Sequence, residues 1–160
     1  MKKIATAFSA LLLVFAMSVS CKGESKPEDS KDAAETMNEE RFDDVNENKE
    51  DDSEILVDAA ETNLTEIEIG KLAQTKGTSA HVKEFGKMLE DDHTKAQSDL
   101  KALADGKSIS LPLVVTDDGK EAYAKLNGKS AGKDFDKEFA DMMVKGHEEA
   151  ISEMEDASKI

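Results

Sequence analysis

The sequence predicts an all-α fold, an antiparallel helical bundle of three long helices and one short helix. Between residues 54 and 158, apolar side chains recur at steps of three and four, which is the spacing of amphipathic helices. The longest β-rich run is ISLPLVV at 109–115, and Pro112 interrupts it. Short connections between the helical segments favour neighbours that pack as a bundle.

The predicted helices cover about 54–76, 79–104, 118–126 and 134–158. Ser79 suits the N-cap position of the second helix, because its hydroxyl is a good acceptor for a free backbone N–H. One side of the first helix carries an inner stripe, and Glu66 lies near the edge of it. The stripe consists of Leu56, Ala60, Asn63, Ile67 and Gly70.

Two of the long helices carry a histidine in the same setting. The stretches FGKMLEDDHTKA (85–96) and FADMMVKGHEEA (139–150) share Phe, Met, His and Ala at matching places. The histidines, His93 and His147, fall on the apolar faces of their helices. A metal site and a repeated packing arrangement are both consistent with this repetition.

The N-terminus has the features of an export signal. Lys2 and Lys3 precede an apolar run, Ile4 to Met17, which is shorter than the roughly 20 residues of a transmembrane helix. Ser18-Val19-Ser20 follows as a small-residue cleavage site, so 1–20 is predicted to be a signal peptide.

Cys21 is the single cysteine of the chain and directly follows this signal. The stretch resembles a bacterial lipobox, with Ser18 in place of the usual Leu. We therefore expect acylation of Cys21 and a membrane partner through that lipid anchor. The expected location is the bacterial cell envelope, at the outer membrane facing the periplasm or the cell surface. The alternative is a soluble secreted protein with one free thiol.

Residues 21–53 are rich in Glu, Asp, Lys and Ser, and we expect a disordered acidic linker. A solvated helix around Ala33 to Phe42 is the alternative. The remaining 107 residues (160 − 53) of 54–160 are enough for one domain with one core. The formal charge is −15, or −17 after loss of Lys2 and Lys3 (−15 − 2). This charge argues against nucleic acid as a partner, because phosphates are bound by clustered Lys and Arg.

Several motifs carry a family resemblance. They are NLTEIEIGKLAQTKG (63–77), VKEFGKMLEDDHTKA (82–96), Leu111-Pro112 and DFDKEFADMMVKGHEEA (134–150), in this order. The chain resembles the bacterial envelope family known as domain of unknown function 4142 over about 54–158. The resemblance implies a ferritin-like helical fold and export, often as a lipoprotein. Such domains usually continue into a last helix with another histidine, whereas this chain stops at Ile160.

Ferritin-like carboxylate sites combine Glu residues with Glu-x-x-His motifs on facing helices. Glu90 and His93 have that spacing, but Val144 stands at the corresponding place before His147 and cannot bind a metal. The candidate ligands of a single iron or zinc ion are Glu66, Glu90, Asp92, His93 and His147. The alternatives are hydrogen bonds that fix the register of the helices, and acid–base catalysis. His81, near the start of the second long helix, is expected at the surface.

The sequence contains no nucleophile motif, no glycine-rich phosphate loop and no cysteine cluster. The leading hypothesis is therefore non-enzymatic: a lipid-anchored binding or envelope-homeostasis module. The alternative is a ferritin-type domain that binds iron or zinc and acts as an oxidase. If no further helix covers the inner faces, exposed apolar surface is expected to bind a second copy or another envelope protein.

Overall fold

The computed structural model describes residues 28–42 and 47–158. They form five helices and no strand, which confirms the prediction of an all-α helical bundle. None of these helices combines the length and the apolar character needed to cross a membrane. The helices are α1 (Ser30–Phe42), α2 (Glu47–Lys76), α3 (Ala80–Lys107), α4 (Asp117–Asn127) and α5 (Lys133–Ala157).

Residues 30–42 and 47–53, which the sequence predicted to be part of a linker, are helical, and the first of these helices agrees with the alternative of a helix around Ala33 to Phe42. In α1 the buried residues recur every four positions and form one narrow stripe, Ala34, Asn38 and Phe42. The amide of Asn38 donates to Ser110 O at 2.9 Å and accepts from Ser110 N at 2.7 Å. This paired bond attaches α1 to the segment before α4, so its stability comes from tertiary contacts that composition does not reveal. The signal peptide and Cys21 lie outside the described residues.

The antiparallel pair of α2 and α3 forms the centre of the bundle, and two glycines set its spacing. A Cβ at Gly86 would lie 2.8 Å from Gly70 O and 2.8 Å from the Cβ of Ala73. A Cβ at Gly70 would lie 2.6 Å from Gly86 O. Since real Cβ atoms do not approach so closely, glycine at both positions permits the backbones to meet.

Helix α5 runs in the same direction as α3, because α4 returns the chain to the starting end of α3. The rings of Phe85 and Phe139 pack edge to face at 5.7 Å between centroids, and those of His93 and His147 lie 6.3 Å apart. The two repeated stretches therefore lie side by side at matching levels. The main core fills the space between α2, α3, α4 and α5 and consists of Ile69, Leu72, Ala73, Leu89, Leu126, Phe135, Phe139 and Met143.

Candidate metal centre

Glu66 is buried in the middle of the bundle, with 6% of its surface exposed. The buried positions of α2 around it are Ala60, Asn63, Ile69, Gly70 and Ala73. Glu66 thus lies at the centre of the inner face of α2, whereas the sequence placed it near the edge. The buried face of α2 is centred on Glu66 because α2 packs against α3 and also faces α5. A buried carboxylate is costly unless other groups compensate its charge.

His93 reaches this carboxylate from α3. Its Nε2 lies 2.7 Å from Glu66 Oε2, and its Nδ1 lies 2.8 Å from Oδ1 of Asn63. The amide group of Asn63 donates to Gln97 Oε1 at 3.3 Å, which directs its oxygen toward the ring. An amide oxygen only accepts, so Nδ1 carries the proton and donates it. Nε2 is the ring nitrogen that remains beside Glu66.

His147 reaches the same oxygen from α5. Its Nδ1 lies 2.8 Å from the backbone carbonyl of Met143, one turn earlier in the helix. A carbonyl accepts only, so Nδ1 is the donor here as well. The Nε2 atom is 3.8 Å from Glu66 Oε2, and the side chain is 45% exposed against 20% for His93. Both rings therefore direct Nε2 at one carboxylate oxygen.

Three electron-pair donors converge at this point. One atom each from Glu66, His93 and His147 lie within 4.8 Å of one another. Although Glu66 Oε2 lies close to Nε2 of His93, the alignment is not that of a hydrogen bond, and Oε2 has no hydrogen-bond partner among the described residues. Lone pairs that converge in this way repel one another unless a proton or a metal ion lies between them.

The separations fit a metal ion. Zinc bonds of about 2.0–2.1 Å in tetrahedral geometry place ligand atoms roughly 3.3 Å apart. The distances from Glu66 Oε2 to the two Nε2 atoms, 2.7 and 3.8 Å, lie on either side of that value. A ring N–H donated to a carbonyl or amide oxygen is also the usual support of a metal-binding histidine, because it fixes the ring and its tautomer.

The other predicted ligands lie outside this convergent group. Glu90 is one turn before His93, and its carboxylate accepts from Gln74 Nε2 at 2.6 Å. Asp92 is exposed on α3. His81 is exposed in the first turn of α3, as the sequence predicted.

Sequence reasoning missed the supporting role of Asn63 and Gln97. The signal for Asn63 was present, since it is a polar residue on an apolar stripe one turn before Glu66. Gln97 has no comparable signal. It follows His93 by one turn of an acidic helix, and only the packing of α3 on α2 brings it to Asn63.

A larger cavity, of about 1010 Å³, lies away from the histidines, between α1 and the segment that precedes α4. Its apolar lining is mainly aliphatic and includes Met37, Leu111, Leu113 and Val114. Some of its polar groups already have backbone partners. The hydroxyl of Ser30 accepts from Leu113 N at 2.9 Å, and the guanidinium of Arg41 donates to Ser108 O. The convergent donors at Glu66 therefore identify the candidate site better than cavity size does.

The fold and the site define a class of protein: an all-α bundle domain with a buried carboxylate and two histidines at its centre. Residues 37–160 match the model of the family described as Domain of unknown function (DUF4142), and the chain belongs to this family. The match confirms the resemblance and begins 17 residues before the expected domain start at 54 (54 − 37). Neither the curated proteins nor the solved structures include a match to this chain.

Proposed function

We propose that the helical domain binds one divalent transition-metal ion through Glu66, His93 and His147. The observation that supports this proposal is the orientation of both histidines: each Nδ1 lies 2.8 Å from an oxygen that only accepts, which leaves both Nε2 atoms beside one buried carboxylate. Two imidazoles and one carboxylate suit zinc and ferrous iron.

The role we propose is binding rather than turnover. A set of three protein ligands leaves a coordination position for water, and the exposed edge of His147 places solvent beside it. No second Glu-x-x-His motif is available, since Val144 precedes His147 by three residues. The site therefore supports a single ion, in keeping with a metal-binding module of the envelope.

The test is a zinc and iron titration of the purified protein after removal of metal, with Glu66→Gln and His147→Gln as variants. Glutamine keeps the approximate size of each side chain. We expect wild type to bind about one equivalent of metal and each variant to lose at least tenfold in affinity. Loss of a group that merely supports a metal ligand weakens binding about 10- to 100-fold, and loss of the ligand itself should weaken it at least as much. The matched control is His81→Gln, which removes the one histidine outside the cluster and is expected to bind as wild type does.

The competing account is a protonated imidazole paired with Glu66, which fixes the helices and binds no metal. In that case the wild-type protein takes up neither zinc nor iron, and the Glu66 and His147 variants merely unfold at lower temperature. Equal binding by all four proteins would also refute the proposal, because the metal would then be held by surface carboxylates.

We propose further that the protein is exported and anchored by lipid at Cys21. The support is the order of Lys2 and Lys3, the apolar run and the single cysteine after the small residues. Labelled palmitate should enter the protein expressed in a bacterial host, and Cys21→Ser should abolish the label and release the protein from the membrane fraction. A serine variant that stays in the membrane fraction would contradict the anchor.

A further inference from the structure

Helix α5 carries an apolar seam that the rest of the described chain leaves uncovered. Val144 and Ile151 are each 60% exposed, and Met154 is 56% exposed. With Ala140 and His147 they form the series 140, 144, 147, 151 and 154, whose steps alternate between four and three. This heptad spacing is typical of the contact line between two helices, so the seam indicates a helix as its occupant.

The seam is continuous with a depression in the body of the protein. A groove of about 430 Å³ lies between α3 and α5 and is lined by Val82, Phe85 and Val144 among others. A second groove of about 390 Å³ adjoins it at His147 and continues past Ile151 and Met154. Together they run along α5 from Phe139 to Ser158, a length that suits several turns of a helix.

The outer flank of this seam is acidic. Glu148 and Glu155 each follow a seam position, 147 and 154, by one residue, which is the place from which heptad helices contact charged partners. Asp141 has the same place after 140, but its carboxylate is paired with Lys137. The span 148–156 has five acidic residues and no basic one, so the field along this flank is negative. The other flank faces the bundle, where Met143 is buried.

We propose that this surface of α5 binds one amphipathic helix of another protein, with an apolar heptad face and Lys or Arg beside it. The apolar seam requires a helical face, and the acidic flank requires positive charge on it.

A second copy of this chain fits poorly. In an antiparallel pair of α5 helices, the acidic flanks would face each other and repel. In a parallel pair, they would face the Met143 and Ala150 side, which carries no positive charge. The formal charge of −15 adds a general repulsion between copies.

The experiment uses the full chain and a synthetic three-heptad peptide with Leu on its inner positions and Lys on both flanks. Binding is measured by fluorescence anisotropy of the labelled peptide at low and physiological salt. We expect saturable binding that weakens with salt and is absent for a peptide with Glu in place of Lys. Ile151→Ser with Met154→Ser should weaken it by at least about tenfold, because buried apolar anchors carry most of the affinity of such interfaces.

Matched variants distinguish peptide binding at this surface from general electrostatic attraction between the peptide and the acidic protein. Glu148→Lys with Glu155→Lys should weaken binding, whereas Glu39→Lys with Glu40→Lys makes the same charge change on exposed positions of α1 and should not. Leu113→Ser with Val114→Ser removes exposed apolar groups elsewhere and should also bind normally. The Glu66→Gln variant is expected to bind the peptide like wild type, so loss of metal and loss of this partner are distinguishable.

Three results would overturn the inference. Equal weakening of peptide binding by both pairs of lysine substitutions would show that binding depends on the net charge of the protein and not on this surface. Normal binding after loss of Ile151 and Met154 would place the peptide elsewhere. Sedimentation of the protein alone as a dimer that the serine pair dissociates would assign the seam to a second copy.

Discussion

His93 and His147 reach the same carboxylate from helices that are packed very differently. Helix α3 meets α2 at Gly70 and Gly86, where the backbones are too close for a Cβ on either side. Helix α5 has no such contact at the equivalent level. A Cβ at Gly146 would lie 3.9 Å from Glu66 Oε1, an ordinary van der Waals distance, and the residues after Ala150 are exposed as far as Asp156.

Because α3 and α5 are packed differently, His93 and His147 contribute unequally to one site. Glu66 and His93 belong to a rigid pair of helices, and a third side chain, Asn63, fixes the ring from the same pair. His147 is more exposed, is 3.8 Å from the carboxylate, and is oriented only by its own helix. One half of the site is thus formed in advance, while the other half lies on a helix with space to adjust.

The largest expected effect tests the packing of the two halves directly. Gly86→Ala should destabilise the protein by about 1–3 kcal/mol, because its Cβ meets a backbone oxygen that cannot move without separating α2 from α3. Gly146→Ala should instead be neutral or stabilising by up to about 1 kcal/mol, since alanine is the better helix former. Urea unfolding followed by circular dichroism compares the two variants with wild type. Equal destabilisation by both would contradict the distinction between the two halves.

The helices with strong apolar periodicity could be predicted from the sequence, and so could three residues of the site. Spacing placed His93 and His147 on the apolar faces of their helices and Glu66 near the edge of one. It did not reveal that α3 and α5 run parallel, which is what brings the repeated stretches to matching levels. That direction depends on the return of the chain through α4, a long-range property that no local pattern records.

Helix α1 shows a different limit of sequence reasoning. Its composition is that of a disordered segment, yet Asn38 exchanges two hydrogen bonds with Ser110, 72 residues away. Composition measures whether a segment can bury apolar surface on its own. Composition does not detect a polar side chain, such as that of Asn38, which holds its helix in place through hydrogen bonds to the backbone of a distant residue.

The second prediction concerns how each ring is held. Asn63→Leu removes the acceptor of His93 Nδ1 and should weaken zinc binding by about 10- to 100-fold, the usual effect of losing such a support. Asn63→Asp keeps an acceptor oxygen and should restore most of the affinity. Met143→Leu is the matched change beside His147 and should leave affinity unchanged, because the acceptor there is a backbone carbonyl. Zinc titration of the three variants provides the measurement, and a strong effect of Met143→Leu would show that the carbonyl alone does not hold the ring.

The smallest expected effect concerns the link between the two halves. Asp136, in the first turn of α5, accepts from Thr78 N at 3.0 Å, from the Thr78 hydroxyl at 2.8 Å and from Ser79 N at 2.8 Å. Ser79 occupies the N-cap position of α3 as the sequence predicted, but its own side chain makes no capping bond. A carboxylate of α5 thus binds the two residues that directly precede α3 and joins the starts of the two parallel helices.

These bonds make the contribution of Asp136 depend on pH. The backbone N–H of Thr78 has the largest effect in holding the pKa of Asp136 below its ordinary value of 3.8, and the Thr78 hydroxyl and the Ser79 N–H add to it. Because the folded protein has the lower pKa, the stabilisation is complete above the ordinary value and is lost as pH falls through the folded-state pKa. Asp136→Asn should therefore unfold at lower urea than wild type at pH 7, and the gap should close as pH falls below about 4. Asp134→Asn, a change of equal charge in the same turn, should show a smaller gap, since the carboxylate of Asp134 has only the general attraction to the helix start. A gap for Asp136→Asn that persists unchanged at low pH would mean that the amide disturbs packing instead of removing a charged acceptor.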